Sequence, residues 1–252
     1  MKAFSVYGYT QSGKTTTIEN IIRELKKRRY SVGSVKEIHY EKFEIDTKGS
    51  NTDRHKKAGS ELVTARGYFE TDVLFPEKLP IEKILSFYDQ DYVVLEGVTD
   101  YNIPKILSAK SIEEIEERID EGVFAISGRI ANEIDSYKGI PVINSIDNLD
   151  ALVNLVEEKV FEILPDFDPN CCSACGYDCR TLGIKILRGE ANREDCVISK
   201  NKVKLFIDDR EINMVPFVQN ILSNAVKGVV SELDGYKRDA QIRIEIGNEN
   251  EK

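Results

Sequence analysis

Along the first two thirds of the chain, short apolar runs alternate with stretches in which apolar residues recur every three or four positions. Residues 3–7, 31–38, 92–97, 122–128 and 140–145 read as strands, while 17–29, 111–121 and 148–163 carry apolar side chains at helical spacing with charges between them. Strands alternating with helices predict an α/β fold, a mostly parallel sheet with helices on both faces. The pattern holds to about Leu164, and Pro165 and Pro169 mark a boundary between an N-terminal domain, residues 1–165, and a segment covering 166–252. In that segment residues 202–209 and 240–246 alternate like strands. Between them a helix is predicted over 216–233, with Pro216 in its first turn and Phe217, Ile221, Leu222, Ala225, Val229 and Leu233 on one apolar face. So small a strand–helix–strand unit buries little surface alone, and it is expected to pack on the cysteine-rich stretch before it as one α+β satellite domain.

The first strand runs into G-Y-T-Q-S-G-K-T-T and then into the first helix. This is the G-x-x-x-x-G-K-[ST] pattern of a P-loop in its proper strand–loop–helix setting. Gly8 and Gly13 keep the loop free of Cβ atoms, so backbone N–H groups of Tyr9, Thr10, Gln11, Ser12, Gly13 and onward to Thr16 can close around a polyphosphate. Lys14 supplies a point charge, the Thr15 hydroxyl can hold Mg²⁺, and the helix dipole points its positive end at the same phosphates. Glu96 ends the strand at 92–97, where open α/β sheets bind ligands, and can orient a metal ion or its water. The polar stretch E-I-D-T-K-G-S-N-T-D-R-H-K-K-A-G-S, with Asp46, Asp53, Arg54 and His55, is either part of the site or a solvated loop entering a helix capped by Asp53 or Thr52. Lys26, Lys27, Arg28 and Arg29 close the first helix and suit the negative end of its dipole.

The 44 acidic residues outnumber 35 basic ones, for a formal charge of −9, which argues against a protein that coats nucleic acid or an anionic membrane. No run approaches the ~20 apolar residues of a membrane span. The first strand begins at the N-terminus and leaves no room for a signal peptide, so a cytoplasmic protein is expected. In that compartment thiols stay reduced. All five cysteines fall between Cys171 and Cys196, spaced C-x2-C-x3-C from Cys172 through Cys175 to Cys179, with Cys196 remote. Three crowded thiolates and a distant fourth, returning after a short helix over 180–189, suit a [4Fe–4S] cluster; Zn²⁺ and free thiols are the alternatives. Cys171 is the odd residue. The block resembles the small C-x2-C-G…C…G-E…C iron–sulfur domain of several anaerobic redox and metallocofactor proteins.

Taken in order, G-Y-T-Q-S-G-K-T-T, then D-x-x-G…R-H-x-x-A-G, then E-G…P-K-I resemble the MobB-type molybdopterin-guanine dinucleotide biosynthesis proteins over roughly residues 2 to 163. The resemblance implies a dimeric, weakly hydrolytic GTP-binding protein that supports guanylylation of the molybdenum or tungsten cofactor, beside a separate guanylyltransferase. It implies that Gly8, Gly13, Lys14 and Thr15 bind phosphate and Mg²⁺, that Lys14 and Glu96 carry the catalysis with Glu96 as second metal-site carboxylate, that Asp46 joins the magnesium site, and that Arg54 and His55 line it. One departure stands out: the family's G-K-D-[ST] before R-H is here Gly49, Ser50, Asn51, Thr52, so a charged pair has become neutral. No N-K-x-D run marks guanine recognition; Ser127, Arg129 and Asn132 are the expected base-facing residues, and ATP stays open. The alternative function is a nucleotide-switched iron–sulfur protein for electron transfer or metallocluster insertion.

Overall fold

The computed structural model describes residues 1–165, 175–200, 203–207, 210–212, 214–237, 242–244 and 246. They divide between two compact units, Met1–Asp166 with Cys179–Arg193, and Phe167–Asp178 with Glu194–Lys252. In the first unit the elements run β1 (Lys2–Gly8), α1 (Lys14–Lys27), β2 (Val32–Lys36), α2 (Asn51–Lys57), β3 (Val63–Arg66), β4 (Thr71–Leu74), α3 (Ile81–Leu85), β5 (Tyr92–Glu96), β6 (Lys105–Ser108), α4 (Ile112–Arg118), β7 (Val123–Ser127), β8 (Ser136–Tyr137), β9 (Ile140–Pro141), α5 (Leu149–Lys159) and α6 (Cys179–Leu187).

Five strands form one parallel sheet in the order β2-β5-β1-β6-β7. The apolar first strand takes the centre because both its faces are covered. Phe4 and Val6 point into a core with Ile18, Ile21 and Leu25 of α1 and Leu152, Val153 and Val156 of α5. On the opposite face Ala3 packs with Leu85 and Tyr101, and Tyr7 with Ile115 of α4. α6 joins the first of these cores through Leu187.

The fifth strand of the sheet is not the expected 140–145. Only Ile140–Pro141 pairs there, antiparallel with β8, and Val142 adds a single parallel bridge to Ile126. Pro141 has no N–H for a longer ladder, and Asn144 turns the chain away. β6 takes the place instead, between β1 and β7. It escapes periodicity because it is four residues long and begins with a charge. The Lys105 ammonium is buried there, held by Asp120 at 2.7 Å and the Thr99 carbonyl at 3.0 Å. The β3–β4 hairpin was also unexpected; it carries Tyr68 and Phe69 fully exposed at its tip.

The second unit contains the hairpin β10 (Leu205–Ile207) with β11 (Arg210–Ile212) and the helix α7 (Pro216–Val230). The single strand expected over 202–209 is thus the first arm of a hairpin. Of residues 240–246, the described 242–244 and 246 carry no strand. α7 starts at Pro216 as expected, but Phe217, Ile221 and Val229 of its apolar face are mostly exposed.

Candidate functional site

The loop from Gly8 to Gly13 has a positive-φ glycine at each end. Gly8 has φ of 147° and a Cβ there would lie 1.9 Å from the Ser108 carbonyl of β6. Gly13 caps α1 with φ of 107°. Buried Ser12 bonds Ser108 through its hydroxyl at 3.1 Å, and its carbonyl accepts from Arg129 N–H at 3.1 Å, so the loop is braced from two neighbouring strand ends. Lys14 folds back over the loop and donates to the Tyr9 carbonyl at 2.6 Å. Burial pulls its ammonium below the ordinary lysine pKa; Glu96 opposes the shift, and Lys36 and Arg118 add to it. A phosphate anion would reverse that penalty.

Parallel register places the second half of the site. Glu96 lies between Val6 of β1 and Lys36 of β2. Its Oε1 accepts from the Thr15 hydroxyl at 3.2 Å and pairs with Lys36 Nζ at 2.7 Å. A hydroxyl and a carboxylate converging on one point form the hard-oxygen donor set that Mg²⁺ takes, and Lys36 holds the cationic position beside it. Lys14, Thr15, Lys36, Glu96 and His39 share a cavity of about 960 Å³ above the loop. Lys36 and His39 were not anticipated, because only strand register and the path after β2 bring them to the loop.

Asp46, Arg54 and His55 do not line this cavity. Asp46 organises the turn into α2: its carboxylate accepts from Thr52 at 2.8 Å and Ser50 at 2.9 Å and pairs with Lys56 at 3.0 Å. These partners, Thr52 first, pull its pKa down to about 2. The helix cap is Ser50, not Asp53 or Thr52; Asp53 N–H donates to the Ser50 hydroxyl at 3.1 Å while the Asp53 carboxylate takes Gly49 N–H at 2.7 Å. Ser50, at one of the two positions where the resemblance leads one to expect a charge, is thus the α2 cap. Arg54 and His55 are exposed on that helix.

At the far wall Ser127 is buried and donates to the Ile143 carbonyl at 2.7 Å, positioning the next loop instead of facing a ligand. Arg129 and Asn132 do line the cavity, joined by Asn144, Ser145 and Ile146. Asn144 is the organiser. Its Oδ1 accepts from Ile146 N–H at 2.8 Å, and its Nδ2 donates to Asn132 Oδ1 and to Asp147 Oδ2, each at 2.8 Å. Ser145 ties the turn to α1, with its carbonyl 3.0 Å from Asn20 Nδ2 and its hydroxyl 3.2 Å from that of Thr17. The available signal was N-S-I-D, residues 144–147, an N-x-x-D run with serine in place of the lysine of N-K-x-D.

Among the cysteines, Cys171 and Cys172 lie outside the described residues. Cys179 and Cys196 are buried and Cys175 is partly exposed. Cys179 opens α6. Among the described residues no three His, Cys, Asp or Glu side chains form a metal-binding group. The described part therefore does not by itself assemble the expected cluster site. No described helix is long and apolar enough to cross a membrane.

A parallel sheet whose central strand feeds a glycine-bounded loop, with a carboxylate at the neighbouring strand end, defines the P-loop NTPase class of fold. A family model described as molybdopterin guanine dinucleotide synthesis protein B matches residues 3–127. A putative molybdopterin-guanine dinucleotide biosynthesis adapter protein of Methanocaldococcus jannaschii is 32% identical over 253 residues, covering 98% of this chain and 97% of that protein. The corresponding adapter protein of Haemophilus influenzae is 31% identical over 136 residues, 52% of this chain and 76% of its own. The crystal structure of Bacillus subtilis MobB shares the fold, with a TM-score of 0.53 over 65% of this chain and all of that one at 22% identity. This chain belongs to the MobB family of molybdopterin-guanine dinucleotide biosynthesis adapter proteins.

Proposed function

We propose that the chain binds a guanine nucleotide with Mg²⁺ above its P-loop and, as an adapter, supports transfer of the guanine nucleotide to molybdopterin. One observation carries the reading: the P-loop and the Asn144 turn line a single cavity, and the exposed Asp147 carboxylate is bonded to Asn144 Nδ2 at 2.8 Å on that turn. Loop N–H groups and Lys14 take the phosphates, and Thr15 and Glu96 would hold Mg²⁺, which when bound neutralises phosphate charge. Glu96 is also placed to orient a water for slow hydrolysis. Guanine presents an N1–H and a 2-amino group side by side, two donors that one carboxylate accepts together, whereas adenine offers no such pair on that edge. Family membership supports molybdopterin, a separate guanylyltransferase and a second copy of the chain as partners.

The test is competition binding. GTP should displace a labelled nucleotide better than ATP. Asp147→Asn should move the preference towards xanthosine triphosphate, whose 2-carbonyl matches an amide N–H, by about tenfold or more. ATP favoured by the parent, or GTP still favoured by the variant, refutes the base assignment.

For the cysteine-rich segment, residues 166–252, the reading rests on spacing alone: Cys172, Cys175, Cys179 and Cys196 as ligands of a [4Fe–4S] cluster. Protein purified without oxygen should then carry about four irons per chain, and Cys172→Ser should lose them. Zinc in place of iron would identify a different centre.

A further inference from the structure

Arg118 is the last residue of α4. Its guanidinium lies over the ring of Tyr9, with Cζ 4.0 Å from the ring centroid, and lines the same cavity as Lys14. The Nε atom is buried without a hydrogen-bond partner. The neighbouring carboxylates are committed elsewhere: Glu117 accepts from the Tyr9 hydroxyl at 2.5 Å, Asp120 holds Lys105 at 2.7 Å, and Glu114 holds Lys110 at 3.0 Å. None pairs with Arg118 among the described residues.

Its position is built, not incidental. Buried Tyr7, in β1, donates its hydroxyl to the Arg118 carbonyl at 2.6 Å and fixes the end of α4 against the strand that feeds the loop. Tyr9, the first residue after Gly8, then offers three contacts: its carbonyl takes Lys14, its hydroxyl takes Glu117 and its ring takes Arg118. An arginine held over an aromatic ring by cation–π attraction still has its N–H groups for a planar, forked anion contact. Without a carboxylate partner, that cation lacks only the ligand's own charge.

We propose that Arg118 is a phosphate ligand supplied by the chain itself, beside Lys14 where the terminal phosphate of a bound nucleotide would lie, and that it makes the site prefer triphosphate over diphosphate. The proposal rests on nucleotide binding above the P-loop but not on the identity of the base. The measurement is calorimetric titration of parent, Arg118→Ala and Arg118→Lys with the Mg²⁺ complexes of a non-hydrolysable GTP analogue and of GDP, and separately of inorganic tripolyphosphate and pyrophosphate. Arg118→Ala should lose about tenfold or more in affinity for the triphosphate forms and no more than about threefold for the diphosphate forms. Arg118→Lys should recover part of the loss, since the charge returns but not the fork. Equal loss for both classes, or loss for neither, would overturn the assignment. Arg118-dependent tripolyphosphate binding without any guanine preference would sustain it while refuting the guanine reading.

Discussion

Lys14→Ala is expected to weaken binding of a Mg²⁺–nucleotide roughly 30- to 150-fold, the equivalent of about 2–3 kcal/mol for one charge-assisted phosphate contact in a closed loop. In the ligand-free protein the Lys14 ammonium has the Tyr9 carbonyl as its hydrogen-bond partner, and it is partly stripped of water, which is why its pKa falls. That unfavourable state is relieved only when an anion arrives. Removing the side chain should therefore leave thermal stability almost unchanged while affinity collapses. Parallel titration and thermal unfolding of parent and variant separate the two effects, and identical titrations would place the phosphates elsewhere.

Gly128→Ala should do the opposite, acting first on the fold. Gly128 follows β7 with φ of 92° and ψ of −156°, a backbone region open essentially to glycine alone. An added Cβ would lie 2.4 Å from the Ser12 carbonyl, 2.6 Å from the Ser108 hydroxyl and 2.9 Å from the Ala109 carbonyl. Backbone strain and overpacking each cost about 1–3 kcal/mol, so a loss of roughly 3–5 kcal/mol is expected, which lowers the melting temperature by about 10 °C. Because Ser12 belongs to the P-loop, nucleotide affinity should fall with stability. Gly139→Ala is the control: φ is 83°, but nothing lies within 4 Å of its Cβ, so it bears backbone strain without the clash. Equal melting temperatures for the two variants would show that the contacts around Gly128 yield readily.

The glycine-bounded P-loop is legible in the sequence because it is local. Gly8 through Thr16 are consecutive, and a loop that wraps a phosphate with its own backbone needs no distant partner to declare itself. Glu96 could also be read, since its strand ends in a carboxylate at the edge where parallel sheets bind ligands. Asp46, Arg54 and His55 read as site residues from their charge and from the family resemblance. Tertiary structure places Asp46 in the α2 turn, bonded by Ser50 and Thr52 and paired with Lys56, and leaves Arg54 and His55 exposed. Charge in a long polar loop does not say what it will meet.

By itself the sequence determined the fold class, the P-loop and the alternation of strands with helices, because each follows from spacing along a few residues: period two or an apolar run for strands, three to four for helices, fixed glycines for the loop. Strand order belonged to the tertiary structure. β6, too short and too charged at its start to show a period, enters between β1 and β7, and its Ser108 carbonyl is what forbids a side chain at Gly8. Only the same assembly brings Lys36 to Glu96 by register, Arg118 to Tyr9 through the end of α4, and the Asn144 turn to α1 through Ser145. These pairs lie far apart in the chain, 60 to 128 residues, and nothing in local periodicity encodes which distant ends a closed core will press together.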